Sequence, residues 1–315
     1  MTIRFVLDET SIRLDGLSAA AGIEVLELFL DRIDDAILAE RAVFYSSDFF
    51  ETALLGERCF WDLCDPDSPI ELPKEVQERA AAAFGTLACW DETEEWPVNF
   101  GVEVDGQPVR HIPSVAWAHL NNANPQAEIV ACISSATAGY TGIHNVMANG
   151  AERQVWFLET ARDTELFYRW ICSEHSRSPA DIALYAEHSF KQLKFVEHCL
   201  HGITAMTGQF RDLAPVIARH LGLLSDEGQR IFSGPWQQVP AEFGSLGIEI
   251  SDENGNTKQN GNARRERRII VDGAERWFWW HTKLQPHQNR IHICPDDAPA
   301  GGAIIVGIFC RHLTT

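Results

Sequence analysis

"WFWWHTKLQPHQNRIHI", residues 277–293, decides how the C-terminal part of this chain is read. Four aromatics run together, and three histidines fall within the twelve residues that follow Trp280. His281 and Lys283 are two apart and so share one face of a strand, whereas Trp279 and Trp280 point to opposite faces. Upstream, "RRIIVDG" turns at "DG" into "ERWFWWHTKL"; downstream come "NRIHICPDD" and "AIIVGIFCRHL". The pattern predicts three or four short strands forming a compact antiparallel sheet over 262–315, with no helix of its own. Just before it, "SDENGNTKQNGNARR" (251–265) is polar and rich in Gly and Asn, and 251–261 reads as a loop or linker.

Working outward, the expected fold class is α+β, with a mixed α/β N-terminal domain over 1–125 and an α-rich middle region over 126–250. "IRFVLD" and "AVFYSS" read as strands. "GIEVLELFLDRIDDAIL" carries Val25, Leu26, Phe29, Leu30, Ile33 and Ile37 at helical spacing. "LPKEVQERAAAAFGTL" reads as a helix, with proline near its start and glycine near its end. "CWDETEEWPVNFGVEVDGQPVRHIP" (89–113) reads as strands joined at "DGQ". "AEIVACISS" and "RQVWFLET" read as strands that open the middle region. Helical text follows from "DTELFYRWICSEH" to "FRDLAPVIARHLGLLSDEGQRIF", with Ser178 and Ser225 as expected N-caps.

The composition, 45% hydrophobic and 23% charged over 315 residues, is that of a globular chain. No apolar run is long enough to span a membrane. "MTIRFVLDETS" lacks the basic start and apolar core of a secretory signal. Eight scattered cysteines without a CxxC pair read as reduced thiols, and the expected location is cytoplasmic.

A net charge of −19 argues against a general nucleic-acid binder, but the charge is uneven. Residues 1–160 hold 27 acidic against 9 basic side chains, whereas 255–315 hold 5 against 9, plus four histidines. The small basic end suits a polyanion, or it attracts the acidic body.

The order of the C-terminal block is a basic strand, an aromatic-basic strand, an Arg-led strand, an acidic turn and a last apolar strand closing on Arg-His. It resembles the C-terminal half of the RelE/ParE superfamily of small toxin ribonucleases. "WWHTKL", "NRIHICPDD" and "IIVGIFCRHL" carry the resemblance, which covers about fifty residues.

The resemblance implies metal-independent RNA cleavage by attack of a 2′-hydroxyl on its neighbouring phosphate. That needs a base, cations around the phosphate and an acid for the leaving oxygen. Carried over, Arg290 clamps the phosphate and His312 serves as acid or base with Arg311 beside it. His281 and Lys283 add charge in the transition state. Arg264, Arg265, Arg267 and Arg268 are the expected RNA contacts. No cofactor and no metal is called for. RNA is the expected partner, in the ribosome or outside it, together with a regulatory protein. Glu275 and Glu266 stand nearest to a glutamate used as base in one subgroup. The chain departs from the family in being large and acidic.

Competing readings remain. His281 and His292 also suit half-buried strand positions, and Arg290 suits an ion pair with Asp296 or Asp297. His281, His287, His292 and Cys294 offer zinc-type ligands at a spacing that no zinc-finger rule matches. Asp8 and Glu9 at a strand end, with Asp48 and Glu51 after the next strand, suggest a metal-dependent nuclease. "SATAGYTG" (135–142) lacks the lysine of a phosphate-binding loop.

Two functions follow. The first is a metal-independent endoribonuclease, a toxin or antiviral effector restrained by its acidic N-terminal part. The second is a non-enzymatic binding or regulatory subunit that uses the aromatic-rich sheet as a protein interface. A ribonuclease gathers Arg290, His312 and His281 or Lys283 on one exposed face; an interface module buries the histidines and exposes the tryptophans.

Overall fold

The computed structural model describes residues 1–65, 67–92, 101–109, 112–135 and 137–315. It divides into two compact units, Met1–Thr164 and Glu165–Thr315. The expected boundaries near 125 and 250 are therefore replaced by a single division at 164/165.

The N-terminal unit is built on one eight-stranded sheet. Its strands are β1 (Thr2–Leu7), β2 (Ala42–Tyr45), β3 (Ala88–Cys89), β4 (Val102–Val104), β5 (Gln107–Val109), β6 (Glu128–Ile133), β7 (Gly142–Ala148) and β8 (Ala151–Leu158). They lie in the order β3-β2-β1-β6-β8-β7-β4-β5. The run from β3 to β8 is parallel, and β7, β4 and β5 extend it antiparallel. "AEIVACISS" and "RQVWFLET" thus belong to the sheet of β1, not to a middle region. Of the stretch 89–113, β4 and β5 form the expected hairpin at "DG". Its residues 93–100 and 110–111, and residue 136 of "SATAGYTG", lie outside the described residues.

Among the described residues, this unit also holds the α-helices α1 (Ala19–Leu38), α2 (Lys74–Phe84) and α3 (Pro113–Asn121). Leu26, Phe29, Leu30 and Ile33 are the buried stripe of α1, as their spacing predicts, while Ile37 is exposed. Val115 and Trp117 of α3 pack with Val6, Val130, Cys132, Val155 and Phe157 of the sheet in a buried cluster that includes Trp90. From β1 the chain proceeds through β2 to β3 on one side, and β6 flanks β1 on the other. The ends of β1 and β6 therefore form the switch point at which open parallel sheets usually present their chemistry.

The C-terminal unit holds α4 (Ala161–Trp170, shared across the division), α5 (Pro179–Ser189), α6 (Phe210–Phe232), α7 (Val239–Ser245), α8 (Gly255–Gln259) and α9 (Gly261–Glu266). Ser178 caps α5 in a reciprocal capping box with Asp181, whereas Ser225 lies inside α6. The strands are β9 (Leu193–Phe195), β10 (Glu249–Ser251), β11 (Arg268–Val271), β12 (Ala274–Trp277), β13 (Trp280–Gln285), β14 (Gln288–Cys294) and β15 (Ile304–Cys310). Five form a sheet in the order β10-β13-β14-β15-β9, antiparallel except for β15 with β9. β11 and β12 pair separately as a ribbon.

The predicted sheet is thus present in part: of the strands expected over 262–315, β13, β14 and β15 belong to it, whereas β11 and β12 stand apart as their own ribbon. The sheet recruits β9 and β10 from upstream of 262. The stretch 251–261, expected as a linker, is folded: Asn254 and Asn260 accept backbone N–H groups at the starts of α8 and α9. "RRER" (264–267) closes α9 instead of starting a strand, so the sheet has helices at its own border.

Candidate active site

Alternation along β10, β13 and β14 puts a row of polar side chains on one sheet face. Glu249 pairs with Lys283, which pairs with Arg290; Ser251 pairs with His281, which pairs with His292. Residues directly opposite one another project to the same side. On the other face, Trp280 packs edge-on against Phe232 of α6, with ring centroids 5.3 Å apart. Ile291, Ile293 and Phe309 are buried there.

The polar face is closed at one end by an apolar lid. Phe278 and Val271 pack with Cys294 and Ile305, and Ile308 lies against them. A shift in register between β14 and β15 at His292/Ile293 leaves Gly307 beneath Phe278. A side chain at Gly307 would collide with the Phe278 ring, so only glycine fits.

Against this lid stand His281 and His292, with ring centroids 4.9 Å apart. His292 is 0% exposed and His281 6%. His292 Nδ1 lies 3.1 Å from the carbonyl of Phe278, and a neutral ring donates its Nδ1–H there. His281 Nε2 meets Ser251 Oγ at 3.2 Å. Glu253, just past β10, brings Oε1 to 3.5 Å from His281 Nδ1 and to 2.7 Å from Arg267 Nη2. Burial, aided by the charge of Arg290, pushes the His281 pKa down to about 4. Burial also holds His292 well below its ordinary value. Both rings are therefore neutral near pH 7 and able to offer a lone pair.

Four buried nitrogens of this cluster make no hydrogen bond among the described residues: His281 Nδ1, His292 Nε2, Arg267 Nε and Arg290 Nη1. Buried polar atoms are paired in the great majority of cases, so four unpaired nitrogens in one cluster set this place apart.

Arg290, Lys283 and His281 thus share one sheet face, but Arg290 and His281 are buried there, not exposed as the ribonuclease reading expected. Arg290 is 9% exposed, while Lys283 is half-buried and bonded to Glu249 at the rim. His312 and Arg311 are exposed beyond the end of β15, and His312 Nδ1 bonds to the carbonyl of Leu313. Arg264, Arg265 and Arg268 are exposed. Arg267 is 1% exposed and holds Glu253 from within, so it is a structural member of the cluster and not a surface RNA contact. Glu266 is engaged by Thr314 and Glu275 by Arg268. Asp297 binds Arg276 and leaves Arg290 to the polar face. His287 sits at the tip of the β13–β14 turn, away from the other two histidines.

The residue that sequence reasoning missed is Glu253. It lies in the stretch taken for a linker, and only the pairing of Ser251 with His281 brings it to the histidines. A polar loop two residues beyond a short strand gives no local sign of that register.

In the other unit, Asp8 and Glu9 do lie at the end of β1, but inside the protein. Burial raises the pKa of Asp8 to about 6 and that of Glu9 to about 8. Glu9 accepts the N–H of Ser114 in the first turn of α3 at 3.0 Å. Asp8 accepts the N–H of Thr10 at 3.1 Å. Glu9 thus ties the switch point to α3. Asp48 and Glu51 do not join it as metal ligands: among the described residues, the group with metal-ligand geometry is Glu253, His281 and His292.

No family model, no curated protein and no solved structure matches this chain. Among the described residues no helix is long and apolar enough to cross a membrane.

Proposed function

We propose that the C-terminal unit cleaves RNA, with the polar face of its five-stranded sheet as the working surface. The observation that carries this reading is the cross-strand placement of Lys283 and Arg290 beside two neutral histidines. Two cations with donors to spare suit a phosphodiester gaining charge in the transition state. Neutral imidazoles suit removal of a proton from a 2′-hydroxyl. The likeness of "WWHTKL", "NRIHICPDD" and "IIVGIFCRHL" to RelE/ParE ribonucleases points the same way. Exposed Arg264, Arg265 and Arg268 supply sequence-independent attraction for the RNA backbone. His312, exposed and free of the buried cluster, is the proton donor in this scheme.

The test is cleavage of a defined RNA by the full-length protein, with and without ribosomes, beside Lys283→Ala, Arg290→Ala and His312→Ala. Cleavage lost in the first two variants, with their folding intact, supports the reading. Absence of cleavage under every condition overturns it.

One observation favours the second function, a protein-binding module. His281 and His292 are buried, while Trp277 and Trp279 stack half-exposed at 5.2 Å between Arg264 and Lys258. Aromatic and arginine side chains at such a place are typical of interface hot spots. A folded protein that leaves every RNA intact moves the weight to this module.

A further inference from the structure

We propose that Glu253, His281 and His292 bind a divalent transition-metal ion of the zinc class. One ligand atom from each lies within 4.8 Å of the other two. Around a tetrahedral zinc, with bonds of about 2.0–2.1 Å, ligand atoms stand roughly 3.4 Å apart. Modest inward turns of the three side chains close that gap.

An independent observation points to a ligand. His292 Nε2 and His281 Nδ1 are buried and make no hydrogen bond among the described residues. The opposite nitrogen of each ring is occupied, by the Phe278 carbonyl and by Ser251 Oγ respectively. A ring N–H held by a carbonyl leaves the other nitrogen as a bare lone pair. That is how metal-binding histidines are oriented from their outer side. Arg267 plays the corresponding part for Glu253 at 2.7 Å.

The surroundings bear on which ligands follow. Arg267, Arg290 and Lys283 stand around the trio against the carboxylates of Glu253 and Glu249. A divalent ion added here leaves the face strongly positive, which favours an anionic fourth ligand such as a phosphate oxygen, or water in its absence. Two imidazoles, one carboxylate and an open position form a donor set of catalytic rather than structural zinc. The inference departs from the metal-independent chemistry expected of the sequence, and with an ion bound the two imidazoles would be its ligands and not the proton acceptors of the proposed cleavage. It stands on the ligand atoms alone and does not require RNA as substrate.

The test uses the full-length protein, stripped with a chelator and shown to be folded by circular dichroism. It is titrated with Zn²⁺ in a calorimeter and with Co²⁺ while visible absorption is followed. One equivalent is expected to bind. The cobalt form is expected to show the bands of a four-coordinate nitrogen–oxygen site without a thiolate charge-transfer band. Glu253→Gln and His281→Gln keep size and polarity, and each is expected to weaken binding by at least about tenfold. Three results would overturn the inference: a folded wild type that takes up no stoichiometric metal, variants that bind as tightly as wild type, or a thiolate band placing the ion on cysteines. No RNA enters the measurement, so its outcome is separate from that of the cleavage assay.

Discussion

His281 on β13 and His292 on β14 are direct cross-strand partners, their ring centroids 4.9 Å apart, and each keeps one nitrogen bonded outward and one free inward. Strand alternation, burial and two hydrogen bonds, one to the Phe278 carbonyl and one to the Ser251 hydroxyl, together place two ring nitrogens side by side near Lys283 and Arg290.

Lys283→Ala is expected to lower RNA cleavage by about 100-fold, the usual cost of removing one preorganised partner of transition-state charge. The fold should survive, because Lys283 is at the rim and its bond to exposed Glu249 contributes little. Single-turnover cleavage rates with the thermal midpoint as control would check both parts.

Arg267→Ala is expected to destabilise the C-terminal unit by about 3–5 kcal/mol, since it leaves Glu253 with a buried, unpaired charge. Urea unfolding of the full chain measures this. A loss below about 1 kcal/mol would show that the pair is not held as the geometry indicates.

The Glu9 carboxyl has its pKa raised by burial to about 8 from an ordinary 4.5. Between those values the folded state holds a proton that the unfolded state has released, so stability falls as pH rises from about 4.5 to 8. Glu9→Gln should flatten that fall and leave the variant more stable than wild type above pH 8. Denaturation of the N-terminal unit followed across this range reads the sign directly.

Gly307→Ala is expected to lower stability by about 1–3 kcal/mol, because the new methyl must displace the Phe278 ring, which packs with Val271, Cys294 and Ile305. Thermal unfolding measures the loss.

How much of this was legible in the sequence follows from the range of the interactions. The shared face of His281 and Lys283 depends only on strand periodicity, and it is found as expected. The expected alternation of Trp279 and Trp280 does not apply, because Trp279 lies between β12 and β13 and stacks on Trp277, while Trp280 opens β13 and packs on Phe232. Glu253 was hidden because its place depends on β10 joining β13 from thirty residues away. β6 and β8 were readable as strands, but their parallel pairing into the sheet of β1 leaves no local mark. Local pattern alone therefore suggests a boundary near 125, whereas the compact units divide at 164/165. The buried state of Asp8 and Glu9 was likewise invisible, since a carboxylate at a strand end reads as solvent-facing until α3 is laid over it.

RNA cleavage by the full-length protein, compared with Lys283→Ala and Arg290→Ala of proven fold, tests the central claim most directly. The account predicts cleavage by wild type and its loss in both variants. Cleavage that persists unchanged in both, or no cleavage by folded wild type with or without ribosomes, would contradict it.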